Sequence, residues 1–149
     1  MGWLLESIFT QCHGWKNRGC IMGDILILNC LDCGYTADLY EGHGMMFTSL
    51  MDVISLVPET RRDDVLHLLT RDDVSKIEYG YRIFICPECD LQGSRFDYQI
   101  EYGEDQVYQP YFLCSRCRTK LEIDPDPYKE RPCPCCGSDK VLHSFGLWD

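Results

Sequence analysis

The sequence predicts an α+β protein made of two β modules, each closed by four cysteines, the first carrying a helical insertion. Three observations predict it. Four Cys-x2-Cys turns recur along the chain, at Cys30/Cys33, Cys86/Cys89, Cys114/Cys117 and Cys133/Cys136. Short apolar or alternating runs lead into or out of these turns, as strands do. Between the first two turns, over residues about 48–76, the apolar spacing becomes helical and capping residues appear.

A Cys-x2-Cys turn aims two thiolates at one point, and two turns supply the four sulfurs of a closed tetrahedral zinc site. Four turns make two sites, with Cys30, Cys33, Cys86, Cys89, Cys114, Cys117, Cys133 and Cys136 as ligands. Two Zn2+ are the expected cofactors, and iron fits the same cage. Every donor position is filled by sulfur, so no position is left for water, and Lewis-acid catalysis is disfavoured. No catalytic residue is predicted.

The chain has 149 residues and 45% apolar content, which is that of a globular protein. No apolar run approaches the roughly 20 residues that span a bilayer. The first residues contain Glu6 and lack a basic start and a small-residue cleavage site, which excludes a secretory signal. The expected location is therefore the reducing cytoplasm, where paired cysteines bind metal or act in catalysis rather than forming disulfides. Two filled sites, each carrying −2, take the formal net charge of −10 to about −14. Such a chain is repelled by phosphate backbones and anionic lipids, so the expected partner is a protein.

Residues 1–21 show no periodicity, and Met22-Gly23-Asp24 reads as a natural beginning. The segment is expected to be a leader or a mis-called start; Arg18-Gly19 is encodable by a purine-rich string resembling a ribosome site. The competing expectation is an amphipathic helix over residues 3–9. Ile25 to Leu28 form a short continuous apolar run, a strand feeding the first turn, and residues 35–40 alternate as its return. Gly34, directly after Cys33, suits the positive φ that such turns need. Gly42, His43 and Gly44 then form a flexible link. Ser49 caps an expected helix with Leu50, Val53, Ile54 and Val57 on one face. Pro58 ends it and starts a second helix to Leu69. Thr70, Asp72 and Asp73 read as a third helical turn, and residues 78–85 as a strand.

Residues 22–90 thus form the first module. Its strand, Cys30, Cys33, Gly34 and Tyr35, then Gly42, Gly44, Met45 and Phe47, an acidic helical stretch, an aromatic strand, and Cys86, Pro87 and Cys89 resemble a family of small uncharacterised bacterial proteins. The resemblance implies a zinc-ribbon or rubredoxin-like metal fold over residues 22–90 and transfers no activity. Residues 91–149 lie outside it.

In the second module, residues 91–149, Phe96, Tyr98, Ile100 and Tyr102 alternate with Arg95, Asp97, Gln99 and Glu101, predicting one packed and one wet face. Residues 107–113 are expected to return as the partner strand, with Pro110 marking an edge or bulge. A stiff loop at residues 124–127 and a final strand at 141–144 complete a second ribbon on a hairpin. Consecutive turns are expected to share a metal: Cys30, Cys33, Cys86 and Cys89 in one site, Cys114, Cys117, Cys133 and Cys136 in the other. The alternative joins the second turn to the third and leaves the first and last to close around the outside, at the cost of a longer loop. Cys135 is left as a surplus thiol, and Cys12 and Cys20 receive no role.

The function this supports is a zinc-binding structural or adaptor protein. The alternatives are a rubredoxin-like iron electron carrier and a nucleic-acid-binding zinc ribbon of transcription or translation. For the last, Arg116, Arg118, Lys120, Lys129, Arg131 and Lys140 cluster, but Glu122, Asp124, Asp126, Glu130 and Asp139 interleave with them, which favours a solvated mixed-charge face. His43 lacks a visible partner for general-base work.

Overall fold

The computed structural model describes residues 23–44 and 48–148. The expectations for residues 1–21, with Cys12 and Cys20, lie outside them, as do Met45 and Phe47. Among the described residues, seven strands and one α-helix make the α+β architecture: β1 (Gly23–Cys30), β2 (Thr36–Glu41), α1 (Glu59–Leu69), β3 (Val74–Ile85), β4 (Gln92–Tyr102), β5 (Gln106–Tyr108), β6 (Glu122–Ile123) and β7 (Val141–Trp148). They build two antiparallel sheets, ordered β2-β1-β7 and β5-β4-β3-β6.

Both long hairpins use a cysteine turn as their tip. The β1–β2 register runs from Asp24↔Glu41 to Asn29↔Thr36, closing on Cys30 and Cys33. The β3–β4 register ends at Ile85↔Gln92, closing on Cys86 and Cys89. β4 therefore pairs along its length with the strand before it. The expected return over residues 107–113 contributes only β5, which stops before Pro110, a residue with no N–H for a ladder.

β7 pairs with β1 from Gly23↔Trp148 to Cys30↔Val141, so the last strand completes the first sheet. Leu26, Leu28 and Leu39 of that sheet pack on Ile83 of the other. A pair of backbone hydrogen bonds between Gly42 and Tyr81, at 2.8 and 2.7 Å, ties the sheets directly. Gly80 lies at this crossing with φ +153°, and a Cβ there would sit 2.9 Å from the Gly42 carbonyl oxygen.

The insertion packs on β4: Leu50, Val53, Val57, Val65 and Leu68 bury against Phe96, Tyr98 and Ile100. The predicted apolar stripe is thus used, but the first expected helix is only a 3-10 turn at Ile54–Leu56. Ser49 Oγ donates to Asp52 Oδ2 at 2.7 Å and accepts from the Asp52 N–H at 3.2 Å, the cap bond expected of it, but only turns and the 3-10 segment follow. Pro58 then forces Val57 into an extended conformation, ψ 133°. The second expected helix is α1, with Pro58 at its N-cap. The third is a turn, because Arg71 folds back on Asp73 with hydrogen bonds of 2.7 and 2.6 Å. β3 begins directly after it, four residues before the expected start.

Candidate metal centres

Each of the four turns is built alike. The N–H of the residue after the second cysteine donates to the carbonyl of the first: Gly34 to Cys30 (3.0 Å), Asp90 to Cys86 (3.0 Å), Arg118 to Cys114 (3.0 Å) and Gly137 to Cys133 (2.8 Å). The first cysteine's own N–H donates to the carbonyl five residues on, at Tyr35, Leu91, Thr119 and Ser138, over 2.8–3.0 Å. The residue after each second cysteine has positive φ, at Gly34 (75°), Asp90 (57°), Arg118 (65°) and Gly137 (74°). This left-handed step curls the turn so that N–H groups face sulfur; Arg116 and Cys135 donate to Cys114 Sγ and Cys133 Sγ, both at 3.4 Å. The first cysteine of every pair is buried, and the second stands at the rim.

The turns assemble into two clusters, Cys86/Cys89/Cys114/Cys117 and Cys30/Cys33/Cys133/Cys136, with the four sulfurs of each within 4.8 Å of one another. The eight cysteines named from sequence all take part, but the consecutive pairing is corrected: the second turn meets the third, and the first meets the fourth. Loop entropy grows only with the logarithm of loop length, so the nested arrangement costs about 1 kcal/mol more than the consecutive one. The ladder between β1 and β7 outweighs that. It brings Cys30 beside Val141 and so carries the fourth turn to the first.

Sulfur separations are 3.4 Å (Cys86–Cys117), 3.5 Å (Cys89–Cys114) and 4.0 Å (Cys89–Cys117) in the inner cluster. In the outer cluster Cys30–Cys136 and Cys33–Cys133 are each 3.6 Å. Sulfurs about 2.3 Å from a central zinc ion lie about 3.8 Å apart at the corners of a tetrahedron, so both clusters fit such an ion. Among the described residues every cysteine is a free thiol.

The protons of each cluster are unequally held. Backbone hydrogen bonds at Cys117 and Arg116 pull the Cys114 thiol down to about 6. At Cys133 burial pushes upward, but the N–H groups of Cys136 and Cys135 prevail and bring it to about 7. At Cys33 and Cys89 the backbone hydrogen bonds of Tyr35 and Leu91 are outweighed by burial and by the neighbouring sulfurs, and both thiols rise to about 12. Each cluster thus pairs a thiol held low, Cys114 or Cys133, with one held high, Cys89 or Cys33, which gives up its proton only to a cation.

The surroundings differ. The inner cluster sits on Phe84 and Leu121, with Leu91 and Phe112 beside them. The outer cluster is braced by the Leu31 N–H donating to the Lys140 carbonyl at 2.9 Å, and by Ser138 bonded to Asp32. Between the clusters, Asp124 is a polar hub that residue spacing does not announce. It is 5% exposed and accepts from Gln92 (2.8 Å), from Arg131 (3.0 Å) and from the Asp126 N–H (3.0 Å). Arg131 of the basic group is consumed there. Arg116, also of that group, reaches from the third turn to the Pro134 carbonyl in the fourth, at 2.9 Å. Cys135 is exposed, and His43 packs 5.8 Å from the Tyr79 ring, where burial lowers its pKa.

No helix among the described residues is long and apolar enough to cross a membrane. Comparison of the chain with protein-family models, with curated proteins and with solved structures finds no match in any of the three.

Proposed function

We propose that this chain is a structural and adaptor protein whose two four-cysteine centres hold zinc and fix a protein-binding surface. The observation that carries the reading is that both centres are closed, four sulfurs each, and sit at hairpin tips where they join turns far apart in sequence. An ion held this way staples β-structure and offers no coordination position to a substrate. The zinc-ribbon character expected from the resemblance over residues 22–90 agrees with the identical backbone pattern of the four turns.

The adaptor part draws on β7. This strand ends the order β2-β1-β7, carries no Asp, Glu, Lys or Arg, and exposes Leu142, Phe145 and Leu147 by half or more. Uncharged edge strands with exposed apolar side chains are the surfaces to which a protein partner adds. The test is isolation of the protein from its native host, with metal analysis, beside a Leu142→Lys/Phe145→Glu variant. Two zinc per chain and a co-purifying protein lost in the variant support the reading; a metal-free chain, or a partner indifferent to both changes, rejects it.

Iron electron transfer is the second reading, favoured by the N–H···Sγ contacts at Cys114 and Cys133, a kind of contact that tunes iron–sulfur potentials. A red protein on aerobic purification supports it, and a colourless zinc protein removes it.

A further inference from the structure

We propose that Arg116 couples the two four-sulfur centres, so that an ion in the inner centre raises the affinity of the outer one. The inference rests on the reading that both centres hold divalent metal. Arg116 belongs to both. Its backbone N–H donates to Cys114 Sγ of the inner centre, and its guanidinium donates to the carbonyl of Pro134, inside the turn that presents Cys133 and Cys136 to the outer one. A single cation therefore spans the gap between the clusters.

The coupling follows from what each ion does to this residue. An inner ion locks Cys114 and Cys117, and with them the backbone on either side of Arg116. The side chain is then held out towards the fourth turn and keeps Pro134 in place. The outer centre gains on two counts: the turn carrying half its ligands is pre-positioned, and its net charge of −2 faces a guanidinium. Without the inner ion the third turn keeps only its own backbone bonds and the bridge loosens. Linkage makes the effect reciprocal. Arg116 is thus a positioning residue, since it ligates neither ion.

The test is anaerobic titration of the full chain with Co2+, read by its thiolate charge-transfer and d–d absorption. Cys89→Ser silences the inner centre and Cys136→Ser the outer, which assigns the bands. Outer-centre affinity is expected to fall about tenfold in Cys89→Ser, a typical coupling between sites. Arg116→Gln is expected to lower it by a similar factor while leaving inner-centre affinity, measured in the Cys136→Ser background, within about threefold. Arg116→Lys, which keeps the charge, should recover part of the loss. The Cys89→Ser/Arg116→Gln double variant should be no weaker than the worse single one, because both changes break the same bridge. Cys117→Ser, at an exposed rim position, repeats the experiment if Cys89→Ser fails to fold. Equal outer affinity with and without the inner ligands, or losses that multiply in the double variant, overturns the coupling. A wild type that takes up no cobalt overturns the metal reading and the coupling together; a wild type that takes up two ions independently overturns the coupling alone.

Discussion

Asp97 shows how one residue can depart from the pattern around it. Alternation along β4 assigns it to a wet face, yet it is 1% exposed, opposite Gly80 and diagonal to Arg82 on β3. Burial pushes its carboxyl up to about 6, with the Arg82 guanidinium opposing the rise. Its ordinary value is about 3.9, so the folded state holds a proton that the unfolded chain has released. The contribution is fully present below about pH 4 and is lost as pH rises through about 6, by roughly 2–3 kcal/mol. Asp97→Asn cannot lose that proton. Its stability relative to wild type should therefore grow between pH 5 and pH 7 in denaturant titrations; a constant difference would refute the shift. Gly80 gives a second prediction at this scale. A methyl group there would strike the Gly42 backbone, whereas one at Gly34 would meet nothing within 4 Å. Gly80→Ala should cost about 1–3 kcal/mol and Gly34→Ala about 1, both from the left-handed backbone but only the first with a clash. Equal losses on chemical unfolding would argue against the crossing of the sheets at that point.

Among the elements, what the sequence disclosed was what is local. The turns are legible because Cys-x2-Cys describes a four-residue geometry, with Gly34 and Gly137 marking the left-handed step that Asp90 and Arg118 take in the other two, and α1 because Pro58 and the Val65–Leu68 spacing are contiguous. The first expected helix was cut short for an equally local reason: Ser49 makes its cap bond to the Asp52 N–H, but Pro58 holds Val57 extended and the segment ends as a 3-10 turn. Partnership was not legible. Nothing in residues 141–148 names β1 as their neighbour, and Gly146 interrupts the run, so the strand read as ending at 144. The overlooked signal was at the second turn, where a strand enters at Ile85 and another leaves at Gln92 with the cysteines between them. A metal turn of this length is itself a hairpin connection, which would have paired β3 with β4. Val65, fully buried under β4, tests the insertion as an element: Val65→Ala should cost about 1–3 kcal/mol while both metals remain bound by elemental analysis. Loss of metal with it would show that the helix supports the centres rather than merely covering the sheet.

At the scale of the molecule, two four-cysteine centres accompany two sheets, and their chemistry sets the conditions under which they would take up metal. The thiols of Cys33 and Cys89 lie near 12 without an ion, so each ion that enters must displace protons. Binding releases protons, and affinity therefore rises with pH. Competition with a chelator should show weaker retention at pH 6 than at pH 8, with more than one proton exchanged per ion; pH-independent affinity would mean that the thiolates pre-exist. The nested order of the turns carries one more consequence, for proteolysis. An ion in the outer centre would clasp residues 30 and 33 to residues 133 and 136, and every peptide bond between Cys33 and Cys133 would then lie inside a ring closed by metal. A protease that nicks the exposed loop at residues 103–105 should leave two fragments that migrate as one particle, and a chelator should be what parts them.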